Sequence, residues 1–112
     1  MMLAAIGGLS LKHWYSAPEF YWRANRALRQ AQDDHLCMHA EVFRQDALYF
    51  SLSVWRDAEA MRAYAQSGPH RRVMLAANRL AQVNRFFHFE CSEIPSAELA
   101  LRYWCQHIRA AE

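Results

Sequence analysis

Three histidines, His39, His70 and His88, are the residues of this 112-residue chain best suited to moving a proton near neutral pH. Beside them the run Leu48-Tyr-Phe-Ser-Leu-Ser-Val-Trp55 places Tyr49, Ser51, Ser53 and Trp55 at alternate positions, so that all four share one face of a strand. Hydroxyls at that spacing orient a ligand by hydrogen bonds, and the Tyr and Trp rings give it an apolar wall. The chemistry implied is that of a small-molecule pocket. His70, His39 and His88 are its candidate catalytic groups for proton relay; Tyr49, Ser51, Ser53 and Trp55 are its candidate substrate-binding groups.

Other chemistries find less support. His39 and His88, with Glu41 or Glu90, are metal ligands by type, but no compact ligand spacing joins them and no metal is expected. Cys37, Cys91 and Cys105 are odd in number, widely spaced and set among apolar or aromatic residues, which reads as reduced thiols in a cytoplasmic protein. Cys37 has no Lys or Arg beside it to stabilise a thiolate. No phosphate-cradling glycine loop, serine nucleophile elbow or catalytic carboxylate pair is present.

The formal net charge is only +2, and Lys12 is the sole lysine. Arg23, Arg26 and Arg29 fall three apart and read as a solvated helix face, so no nucleic-acid partner is expected. No apolar run reaches the ~18 residues of a membrane span, and no positive charge precedes the apolar start, so neither membrane nor signal peptide is expected. The length suits one domain over residues 1–112.

The elements that must position these groups follow from periodicity. Leu3 to Lys12 is a strand in which Gly7 and Gly8 permit a bulge or a close approach. Ser16-Ala-Pro-Glu19 has the form of a capping box and opens a helix carrying Phe20, Ala24, Ala27, Leu28 and Ala31. Leu36, Met38, Ala40 and Val42 alternate with polar residues, as do Leu48, Phe50, Leu52 and Val54; a turn at Arg44-Gln45-Asp46 makes the two runs a hairpin. Its two apolar rows are expected on the same side. Asp57 caps a short helix that Gly68-Pro69 stops, and another helix starts near His70. Asn84 to Cys91 is the last strand, and Pro95-Ser96 opens a terminal helix with Leu101, Trp104, Cys105 and Ile108 on one face.

The order predicts an α+β domain, ferredoxin-like βαββαβ, with an extra and a C-terminal helix around a four-stranded antiparallel sheet. The crossover helices are expected on the apolar rows, leaving the Tyr49, Ser51, Ser53, Trp55 row and the His39, Glu41 row on a bare face. A homodimer closing that face would enclose a cavity bounded by Tyr49, Ser51, Trp55, His39 and His88, with His70 at its rim.

The stretch from Leu48 to Met61, with its strand ending in Ser-x-Trp55 and its acidic helix start, and then Tyr64 and Gly68-Pro-His70-Arg-Arg, resembles the dimeric α/β-barrel superfamily. Within it the chain is similar to antibiotic-biosynthesis-monooxygenase-like proteins, to the spheroidene-monooxygenase type and to an uncharacterised subgroup of small relatives. Ile94-Pro-Ser-Ala-Glu-Leu-Ala-Leu-Arg102 extends the likeness to that subgroup. The resemblance implies a dimeric barrel and a monooxygenase-like oxidoreductase that needs no cofactor, acting on a planar aromatic or polyene-like substrate. The alternatives are a non-catalytic small-ligand binding or sensing module and, third, a haem protein with His70 or His88 as axial ligand. Haem-degrading members use an Asn on the first strand with a Trp and a His; here that strand has no Asn.

Overall fold

The computed structural model describes residues 1–111. Four strands, β1 (Met2–Leu11), β2 (Cys37–Gln45), β3 (Leu48–Trp55) and β4 (Ala81–Cys91), form one antiparallel sheet in the order β2-β3-β1-β4. Helix α1 (Ala17–Asp33) crosses from β1 to β2, and α2 (Ala58–Ala65) and α3 (Gly68–Leu80) cross from β3 to β4. Helix α4 (Ala97–Ala111) follows the last strand. The order is the ferredoxin-like βαββαβ with one crossover split in two and one helix added.

The hairpin loop decides which side chains share a face. Strands β2 and β3 run on to Gln45 and Leu48, so the loop is only Asp46-Ala47, not Arg44-Gln45-Asp46. Asp46 takes φ 55°, a left-handed conformation that a short polar side chain tolerates. A two-residue loop pairs odd positions with even ones. Ala40 therefore faces Ser53, Val42 faces Ser51, and His39, Glu41 and Phe43 sit with Val54, Leu52 and Phe50. The expectation that both apolar rows share a side is overturned by this single register step. An irregularity between Cys37 and His39 then returns Cys37 to the side of Trp55.

Helices pack on both faces of the sheet, and Ser51 and Val42 stay exposed between them. On one face, Ala100 and Trp104 of α4 pack on Ala4, Ile6, Phe50, Leu52 and Val54. Gly8 makes this possible, since a Cβ there would collide with the Trp104 ring and lie 2.8 Å from Phe50. Trp104 Nε1 donates to the Arg85 carbonyl at 3.0 Å, so the buried indole N–H is satisfied. On the other face, α1 and α3 pack with Leu9 and Tyr49, and α2 packs with Trp55. The crossover helices thus cover the Tyr49-to-Trp55 row expected to be bare, while α4 takes the apolar row expected beneath the crossovers. Alternation sorts side chains into two faces but does not say which helix each receives.

The helix ends differ in detail from expectation. Asp57 caps α2, accepting from Ala60 N at 2.9 Å. Ser16 makes no side-chain cap bond, its backbone being helical at φ −83° and ψ −8°, and Glu19 is turned to Arg23 at 3.1 Å and Arg79 at 2.7 Å. Gly68 does not end α2; it opens α3, with φ 52°.

Candidate active site between the sheet and helices α1 and α3

A cavity of about 230 Å³ lies between the sheet and the crossover helices. Strand β3 contributes Tyr49, Ser51 and Ser53 to its wall, and β4 contributes Asn84 and Phe86. Helices bring Phe20 and Tyr21 from α1, Tyr64 from α2, and His70, Val73 and Met74 from α3. The Phe86 ring occupies the space over Gly7, 2.5 Å from where a Cβ would stand.

His70 is held from two sides. Its backbone N–H donates to Gln30 Oε1 at 2.9 Å, and Gln30 Nε2 donates to the carbonyl and hydroxyl of Ser67 at 3.2 and 3.1 Å. The imidazole Nδ1 lies 3.2 Å from the Ala65 carbonyl. A carbonyl only accepts, so Nδ1 carries the proton and Nε2 keeps its lone pair in the neutral ring. Burial lowers the His70 pKa, the Ala65 contact opposing it, so the ring is held neutral. A neutral imidazole beside an apolar cavity can act as a base.

The aromatic residues behind His70 form a continuous stack. Tyr64 lies 4.4 Å from the His70 ring and 4.6 Å from the Trp55 ring, centroid to centroid. Its hydroxyl donates to the Ala27 carbonyl at 3.0 Å, and burial raises its pKa, so Tyr64 is a fixed neutral wall. Trp55 is fully buried behind it, outside the lining, and its Nε1 has no partner among the described residues. At the opposite end Tyr49 meets Phe20 and Tyr21, each at 5.3 Å. The Tyr21 hydroxyl and burial raise the Tyr49 pKa.

The structure brings Tyr49, Ser51, Ser53 and His70 to one cavity, with Trp55 one layer behind. It does not bring His39 and His88 there. His39 is on the other face, its Nε2 2.6 Å from Glu41 Oε2, because the hairpin register turns it away. His88 shares the helix-side face, opposite Ala5 on edge strand β4, and is exposed outside the lining. No group of three His, Cys, Asp or Glu among the described residues is placed to hold a metal ion. Of the two residues expected as axial haem ligands, His70 lies in the cavity wall and His88 lies outside it. Sequence reasoning missed Tyr21, Asn84 and Arg44, which only the packing of separate elements unites with β3.

Residues 14–90 match the family described as a domain of unknown function, DUF3291. The chain belongs to the DUF3291 family. No curated protein matches this DUF3291 chain in sequence. Solved structures share its fold. Rv0793 from Mycobacterium tuberculosis has a TM-score of 0.76 at 8% identity, covering 86% of this chain and 100% of its own. An antibiotic biosynthesis monooxygenase has a TM-score of 0.71 at 13% identity, covering 83% of this chain and 99% of its own. SnoaB, a cofactor-independent oxygenase from Streptomyces nogalater, has a TM-score of 0.68 at 14% identity, covering 83% and 95%. At such identities the likeness is one of fold. No helix among the described residues of the DUF3291 chain is long and apolar enough to cross a membrane.

Proposed function

We propose that this chain is a monooxygenase-like enzyme that binds a planar aromatic or polyene-like molecule in the cavity and uses no cofactor. The observation that carries the reading is an apolar cavity with the neutral imidazole of His70 in its wall. A phenol bound there gives its hydroxyl proton to His70 Nε2, and the electron-rich anion reacts with dioxygen at a ring C–H. One oxygen atom becomes a second carbonyl. The other leaves as water with the hydroxyl proton and the ring hydrogen, so a quinone results. Ser51 and Ser53 would orient the ring, and the apolar walls would hold its body.

Oxygen uptake with a panel of phenols and quinols, with quinone absorbance as the second readout, tests this. Uptake that His70→Phe abolishes is the expected result. Tight binding without oxygen consumption would leave the alternative, a non-catalytic binding or sensing module.

Two further parts of the reading concern assembly and compartment. Phe43, Phe87 and Phe89 pack beside α4 but stay half-exposed, and Tyr103 is exposed, which supports burial against a second copy in a homodimer. A monomer mass by light scattering at micromolar concentration would sink it. The free thiols of Cys37, Cys91 and Cys105 suit a reducing, cytoplasmic setting.

A further inference from the structure

The cavity has two chemically different ends. Arg44 and Tyr49 stand directly opposite each other across β2 and β3, Tyr49 opposite Leu9, and Leu9 opposite Asn84. One row of side chains thus crosses the whole sheet at this end. Six residues further along β3, roughly 20 Å at ~3.3 Å per residue, Trp55 backs Tyr64, which carries His70. The walls between are mainly apolar: Phe20, Ala24, Val73, Met74, Ala77 and Phe86.

Arg44 is a lining residue, its guanidinium 5.2 Å from the centre of the Tyr49 ring. Its Nε donates to the Asp46 carbonyl at 3.3 Å. Among the described residues no carboxylate lies within ion-pair distance of it. Glu41, its neighbour on β2, does not compete, because the register turns Glu41 to the opposite face, against His39. The Arg44 guanidinium lies over the Tyr49 ring, and Tyr21 meets that ring edge-on at 5.3 Å. A guanidinium with no carboxylate partner among the described residues, laid over a phenol ring at one end of a mainly apolar cavity, matches a single planar carboxylate.

We infer that the cavity takes its ligand lengthwise, a carboxylate held by Arg44 at the Tyr49 end and the apolar body reaching toward His70. The ligand class is an aromatic or polyene monocarboxylic acid. The inference rests on the reading of the cavity as the ligand site and adds the acid group to it. Arg44 acts as a binding and specificity group and takes no part in proton transfer.

Calorimetric titration of the full chain with 2-naphthoate and with methyl 2-naphthoate tests it, since the two differ in charge and little in shape. The wild type should bind the acid about tenfold more tightly, the order of one charge-assisted pair. Raising the salt concentration should shrink that preference. Arg44→Gln, at an exposed position, should bind the ester as the wild type does and lose the preference. Equal affinity for acid and ester in the wild type, or a preference that survives in Arg44→Gln, overturns the inference and leaves the cavity reading standing. Failure of the wild type to bind either compound overturns both.

Discussion

His70 rests against Tyr64 with ring centroids 4.4 Å apart and planes inclined by 48°, so the candidate base is braced by a residue whose own hydroxyl is committed to the Ala27 carbonyl. Burial lowers the His70 pKa below its ordinary 6.5. A histidine depressed in the folded state is protonated more readily after unfolding, so its contribution to stability is present above 6.5 and is lost as pH falls below it. Urea midpoints measured from pH 8 to 5 should fall toward acid in the wild type, and less steeply in His70→Phe, which keeps the stack without the charge. Parallel slopes in the two proteins would contradict this.

Gln30 joins α1 to the start of α3 through Ser67 and the backbone of His70. Gln30→Ala should cost about 1 kcal/mol, since part of that network is exposed. It should also increase hydrogen exchange at the His70 amide, whose acceptor is gone. An unchanged amide would show that α2 and α3 hold the junction without Gln30.

Gly8 receives the Trp104 ring, and a methyl group there also meets Phe50. Gly8→Ala should lose about 1–3 kcal/mol by overpacking, read as a lower urea midpoint. Pairing it with Trp104→Leu should cost less than the two changes added separately, because the smaller side chain removes the collision. Simple additivity would mean that α4 shifts freely on the sheet.

Asp57 accepts from the Ala60 N–H, and this bond, with Arg56 beside it, lowers the Asp57 pKa below 3.8. For a carboxyl depressed in this way the stabilisation is present above 3.8 and is lost as pH falls through the folded value. Asp57→Ala should therefore lower the melting temperature at pH 7, and the gap from wild type should narrow on acidification. A gap that is constant with pH would assign the loss to something other than the cap.

The chain's local signals determined which elements form and in what order. Helical spacing of Phe20, Ala27 and Ala31 marked α1, strict alternation marked β3, and Asp57 marked the start of α2. Alternation also placed Tyr49, Ser51 and Ser53 on one face, and the glycine pair announced close approaches that Phe86 and Trp104 make. Two matters lay beyond local signals. The hairpin register depends on whether the loop holds two residues or three, and one residue of difference sends His39 and Glu41 to the opposite face from Ser51. Which face each helix takes depends on the total fit of distant surfaces. Trp104, 96 positions after Gly8 in the chain, fills the hollow over that glycine and commits α4 to the Phe50 row, leaving Tyr49, Ser51 and Ser53 to α1 and α3. Residue types along a strand state that a face is apolar or mixed; only packing between elements far apart in sequence decides what covers it.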